Sequence, residues 1–182
     1  MTNPTEAEHA GNGPVAILIG PPGAGKTTVG RLLAGRLNLS FTDTDAQIEA
    51  AAGKPVGDIF VEDGEPAFRE LERAAVAQAI ASSGGIVAVG GGAVLDPLTQ
   101  QRLAGQPVVY LRTGFAAAAK RTGLNQARPL LIGANPRALL KTLLDQRLPV
   151  YASLAWLTVG TDEQDAEQVA AEIADRLLAL TR

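Results

Sequence analysis

The chain has 182 residues, 46% hydrophobic and 19% charged, with no cysteine and a formal net charge of −3. That length and composition fit one globular domain, large enough to bury about 70% of its unfolded surface without disulfides or a structural metal. The lack of cysteine excludes thiol catalysis and zinc ribbons, and a balance of 16 basic to 19 acidic residues speaks against nucleic-acid binding through bulk charge. Apolar runs fall far short of the roughly 20 residues that a membrane-spanning helix needs, and Met1 to Gly13 carries no secretory pattern, so no membrane partner and a cytoplasmic location are expected.

Residues 1–13 are polar and aperiodic and read as a disordered tail. They contain His9, the single histidine, so a general base must be a carboxylate or the substrate's own phosphate. From Pro14 onward, short β-branched runs alternate with amphipathic stretches: Val15 to Ile19, then Lys26 to Leu39; Ile86 to Val89, then Pro97 to Ala104; Val108 to Leu111, then Phe115 to Arg121. Such alternation predicts β-α-β units, and the nearly all-apolar runs predict parallel strands covered by helices on both faces: an α/β, doubly wound fold. Phe68, Leu71, Ala75, Ala79 and Ile80 recur at helical spacing and predict a surface helix over Glu65 to Ile80. Two further helices are expected over Pro136 to Arg147, with proline in the first turn, and over Asp165 to Leu180. Gly123 to Asn135 has no period and reads as a mobile loop.

The sharpest motif is Gly20-Pro21-Pro22-Gly23-Ala24-Gly25-Lys26-Thr27, a G-x-x-x-x-G-K-[ST] sequence after a predicted strand and at the start of a predicted helix. Composition alone would produce about 0.004 such matches in this chain. Convergence of backbone N–H groups on phosphate oxygens requires tightly turning glycines with a helix N-terminus behind them. Lys26 then reaches the β- and γ-phosphates, Thr27 offers its hydroxyl to Mg²⁺, and Thr28 and the first-turn amides add donors. ATP or another nucleoside triphosphate with Mg²⁺ is implied.

Asp43 and Asp45 follow at spacing two. In an extended chain at the C-terminal end of a strand they would sit side by side, Asp43 serving Mg²⁺ and Asp45 accepting a substrate hydroxyl; alternatively, either is the N-cap of the next helix. Gly90-Gly91-Gly92 directly follows a strand, either as an ordinary turn or as side-chain-free backbone on which a ligand can pack. Arg69, Arg121, Arg128 and Arg147 read singly as solvated charges. Arg128, on a loop beside a phosphate site, is placed as a closing lid would need.

From Val15 to Leu178 these residues resemble the shikimate kinase family, of the nucleoside-monophosphate-kinase group. The resemblance rests on Gly20 to Thr28; Asp43-Thr44-Asp45 with Ile48-Glu49; Phe60, Asp63-Gly64-Glu65 and Phe68-Arg69; Gly90-Gly91-Gly92-Ala93-Val94; Arg121-Thr122; Arg128-Pro129-Leu130-Leu131; and Arg147, Pro149 and Tyr151. It implies a three-layer α-β-α P-loop kinase fold with a five-stranded parallel sheet, one domain over residues 14–182, a substrate-binding segment near 44–73 and a mobile lid near 122–135. The implied reaction is phosphorylation of the shikimate 3-hydroxyl by ATP on the way to chorismate and the aromatic amino acids. Shikimate would be held by Asp45, Arg69, Gly90, Gly91, Gly92 and Arg147, the two arginines gripping its carboxylate. ATP would be held by Gly23, Ala24, Gly25, Lys26, Thr27 and Thr28, with Arg121 against the adenine and Arg128 closing from the lid, while Thr27 and Asp43 serve Mg²⁺. Lys26, Asp45 and Arg128 would be catalytic. The chain departs from the family pattern at Val150, Ala152 and Ser153, in an acidic turn from Thr161 to Asp165, and in lacking an aspartate on the strand before the glycines. A monomer is expected. The rival readings are a related kinase, for instance of gluconate, and a nucleotide-binding regulatory module.

Overall fold

The computed structural model describes residues 13–122 and 136–180. The expected tail, but for Gly13, and the expected lid loop with Arg128 lie outside the described residues.

Five parallel strands form one sheet in the order β2-β3-β1-β4-β5: β1 (Ala16–Ile19), β2 (Phe41–Asp43), β3 (Ile86–Ala88), β4 (Val108–Arg112) and β5 (Leu157–Gly160). The all-apolar composition of β1 is explained by its central place, where all four residues are buried. Its side chains alternate between two cores. Ala16 and Leu18 meet Leu33 of α1 (Lys26–Leu37) and Ile173 of α8 (Ala166–Leu180) on one face. Ile17 and Ile19 join Val76 of α4 (Glu65–Ser82), Leu103 of α5 (Pro97–Leu103) and Tyr151 of α7 (Pro136–Leu154) on the other. The expected three-layer arrangement is therefore present, each fully buried Leu or Ile contributing about 1.5–3 kcal/mol. Three further α-helices, α2 (Thr44–Ala52), α3 (Val56–Glu62) and α6 (Phe115–Thr122), and a 3₁₀ turn over Ala93–Leu95 complete the described elements.

Strand register gathers the functional segments on one edge. Leu18 pairs with Ala88 and with Val109, and Asp43 pairs with Ala88. Gly20, Asp43 and Gly90 therefore leave the sheet together at its C-terminal edge, the edge on which ligands bind in open α/β sheets.

The structure differs from three sequence expectations. The chain is not extended through Asp43 to Asp45: β2 ends at Asp43, whose carboxylate caps α2 by accepting from the Asp45 and Ala46 amides. The two carboxylates consequently point to different neighbours. The helix from Pro136 does not end at Arg147 but runs to Leu154 with Pro149 inside it, because buried packing of Tyr151 outweighs the one hydrogen bond that proline removes. On α4, Leu71 is 40% exposed while Glu72 is 3% exposed, so the buried stripe runs Phe68, Glu72, Ala75, Val76 and Ala79.

Candidate active site

The loop from Gly20 to Gly25 turns through two left-handed glycines, Gly23 at φ 82° and Gly25 at φ 88°. No side chain caps α1 behind it, which leaves the first amides of that helix to an anion. Lys26 folds over the loop and donates to the Gly20 and Pro21 carbonyls at 2.8 and 3.1 Å. The Thr27 hydroxyl donates to Asp43 Oδ2 at 2.7 Å, while Asp43 Oδ1 accepts from the Asp45 amide at 3.0 Å. Asp43 is thus the cap of α2 through one oxygen and the partner of the P-loop threonine through the other. Thr28 is exposed on the first turn of α1.

On the neighbouring side a cavity of about 730 Å³ is lined by Asp45, Arg69, Gly90, Gly91, Gly92 and Arg147, and it reaches Thr27 and Asp43. Six residues from four separated segments, all assigned to one acceptor, thereby share one pocket. Arg69 forks between Glu65 and Glu72, with its Nη1 2.6 Å from Glu72 Oε2. Its guanidinium also lies over the rings of Phe60 and Phe68, 5.8 and 5.4 Å from their centroids. Arg147 is 4% exposed, and its Nε has no hydrogen-bond partner among the described residues. A buried, unmet guanidinium donor is a place for an anionic group.

Glu72 was not expected at the site. Burial pushes its carboxyl above the ordinary range, the Arg69 guanidinium pulls it back down, and the charge of Asp45 adds a further upward push. Its position in the apolar stripe of α4 was the available clue, since an acid there stays charged only beside a cation.

Arg121 does not line the acceptor pocket. From α6 it donates to the Gly23 carbonyl at 3.3 Å, to Thr161 Oγ1 at 3.0 Å and to the Thr161 carbonyl at 2.6 Å, tying the P-loop to the segment after β5. Two of the three acids of that segment have structural partners: Asp162 accepts from Thr113 Oγ1 and the Gly114 amide before α6, and Asp165 exchanges two bonds with Gln168 at the start of α8. The strand before the glycines carries no acid, as the sequence indicated. Among the described residues no three His, Cys, Asp or Glu side chains gather as a metal cage.

A phosphate-binding loop on a parallel sheet of order 2-3-1-4-5, opening beside a pocket with its own buried cations, defines a P-loop kinase of the nucleoside-monophosphate-kinase type. Comparison with known proteins narrows this. The family model for shikimate kinase matches residues 22–178, and the chain belongs to that family. It is 63% identical over 166 residues to the shikimate kinase of Thermobifida fusca, covering 91% of this chain and 96% of that protein. It is 52% identical to the shikimate kinase of Saccharopolyspora erythraea, with 91% and 95% covered. The structure of shikimate kinase from Acinetobacter baumannii in complex with shikimate superposes with a TM-score of 0.87 at 36% identity, covering 92% of this chain and 94% of that one.

Proposed function

We propose that this chain transfers the γ-phosphoryl group of ATP to the 3-hydroxyl of shikimate, yielding shikimate 3-phosphate and ADP. The observation that carries the reading is the single pocket in which Arg69, Arg147 and Asp45 meet beside the P-loop: two cations suited to a planar carboxylate, and one carboxylate suited to a hydroxyl.

The residue roles follow from this placement. Arg69, with one edge of its fork fixed by Glu72, and the buried Arg147 hold the shikimate carboxylate, and the Gly91 and Gly92 amides add donors, that of Gly90 being given to Thr44 Oγ1. Asp45 orients the 3-hydroxyl. As that oxygen bonds to the γ-phosphorus and the bond to the β-γ bridging oxygen breaks, with its electron pair leaving on ADP, Asp45 takes the hydroxyl proton. Lys26 exchanges its carbonyl partners for phosphate oxygens, and the amides of Gly23, Gly25, Thr27 and Thr28 cradle the phosphates, while that of Ala24 shapes the loop by donating to the Pro21 carbonyl at 3.1 Å. A loose transition state needs little activation of the nucleophile, so positioning and charge neutralisation carry most of the rate. Arg128, outside the described residues, is assigned to the γ-phosphate by sequence alone. Arg121 frames the nucleotide pocket through its bonds to Gly23 and Thr161.

The Thr27 hydroxyl and Asp43 carboxylate, adjoining at the strand edge, are hard oxygen ligands that suit Mg²⁺ bound mainly through phosphates and water. When bound, the ion neutralises charge on the β- and γ-oxygens. A monomer in the cytoplasm belongs to the same reading, the location resting on the reaction's reliance on ATP. Among the described residues no helix is long and apolar enough to cross a membrane.

The experiment is ADP release from ATP and Mg²⁺ with shikimate or gluconate. Stimulation by shikimate alone is expected. Equal stimulation by gluconate would replace the acceptor, and ATP binding without stimulation by either acid would reduce the chain to a nucleotide-binding module.

A further inference from the structure

One helical turn beyond Arg147, on the same face of α7, stands Tyr151, fully buried. Its ring stacks on Tyr110 of β4, centroids 5.2 Å apart, and its hydroxyl donates to the Gly91 carbonyl. The other side of Gly91 packs on Pro22 and on the Gly20 carbonyl of the P-loop. Arg147, one turn earlier on α7, lines the acceptor pocket beside that glycine turn. Between the two residues lies Pro149, whose missing N–H removes one bond from the turn of α7 that aims Arg147. A hydroxyl placed among apolar side chains is costly unless it is bonded. The bond of this one goes to the glycine turn that lines the acceptor pocket.

We propose that Tyr151 is a positioning residue for acceptor recognition: its hydroxyl ties α7, one turn from Arg147, to the Gly90 to Gly92 turn, so that arginine and glycine amides meet the substrate carboxylate in a fixed relation. The proposal rests on the reading of Arg147 as a carboxylate-binding residue. If the tyrosine served only to fill the core, its ring alone would suffice, and phenylalanine would replace it without functional effect.

The test is Tyr151→Phe, in the wild-type and the Arg147→Lys backgrounds, followed by steady-state kinetics and by calorimetric titration with shikimate. In the wild-type background, KM and Kd for shikimate rise about three- to tenfold, the loss expected for one buried hydrogen bond, while kcat and KM for ATP stay within about twofold. In the Arg147→Lys background the same substitution adds little, because the arginine it acts through is gone. A Tyr151→Phe enzyme that binds shikimate as tightly as wild type overturns the proposal, whatever its melting temperature. So does a penalty that is equally large in both backgrounds. Wild-type protein that binds ATP but releases no ADP with shikimate would instead overturn the functional reading itself.

Discussion

Adding one methyl group at Gly92 should disable the acceptor site while sparing the nucleotide site. Gly92 has φ −92° and ψ −16°, a conformation open to any L residue, so alanine introduces no backbone strain. Its Cβ, however, would lie 2.6 Å from Arg69 Nη1 and 2.9 Å from Nη2. Reaching ordinary contact at 3.4 Å requires the guanidinium to give by about 0.8 Å. Arg69 has little room to yield, being held by Glu72, Glu65 and two phenylalanine rings. Loss or distortion of a charge-assisted hydrogen bond to the substrate costs about 1.5–3 kcal/mol, which corresponds to about a 10- to 100-fold fall in kcat/KM for shikimate. Kinetics at saturating ATP should show this fall mainly in KM, with KM for ATP within about twofold of wild type and the melting temperature little changed. A Gly92→Ala enzyme with wild-type KM for shikimate would refute the placement of Arg69 against the acceptor.

Other substitutions separate the two halves of the site and the scaffold. Lys26→Ala removes the cation of the P-loop and should lower kcat by at least about a thousandfold, with shikimate binding by calorimetry unaltered. Arg69→Ala should do the reverse, raising KM for shikimate while single-turnover chemistry at saturating shikimate falls much less; an unchanged KM would contradict its role. Midway along α4, Arg73 grips Asp96 in two bonds of 3.0 and 3.1 Å and holds its carboxyl below the usual carboxylate range. The folded state therefore releases this proton more readily than the unfolded chain, so the stabilisation is in place above about pH 4 and is lost as the pH falls further. Asp96→Asn keeps the cap on α5 but removes the titration, so urea denaturation of the variant between pH 5 and 2 should show a shallower loss of stability than wild type; parallel curves would exclude this pair as an acid-sensitive contact.

Much of the fold was legible because its signals are local. Parallel strands buried on both faces read as apolar runs, and the glycines of a phosphate loop must precede a helix. Strand order was not legible from residues, since the crossover of β2 to the far side of β3 depends on how α1 packs, and no short segment records it. The seven-residue α3 was missed for a related reason: Val56, Ile59 and Phe60 span too few turns to establish a period. The length of α7 was misjudged because Pro149 is a valid local stop sign, overridden by the distant partners of Tyr151. Glu72 was passed over by counting it with its charged neighbours, although Phe68 four residues before and Ala75 three after place it on the buried stripe.

The glycine triplet shows how such distant constraints can leave a plain mark in sequence. Read alone, Gly90-Gly91-Gly92 was as compatible with an ordinary turn as with a ligand platform. In the structure each position is small for a separate reason. A Cβ at Gly90 would lie 2.7 Å from Asp45 Oδ1 and 2.9 Å from Glu72 Oε1; one at Gly91 would press on Pro22 at 3.1 Å; one at Gly92 would strike Arg69. The turn is therefore the common wall between the P-loop and the acceptor pocket, and its three residues are small toward the proposed proton acceptor, the nucleotide loop and the proposed carboxylate clamp in succession. Phosphoryl transfer demands that donor and acceptor meet within van der Waals distance with little between them, and a wall of bare backbone provides the thinnest partition a polypeptide can make. Substitutions along it should consequently separate by function, Gly90→Ala acting on kcat through Asp45 and Gly92→Ala on KM through Arg69, although the two positions are only two residues apart.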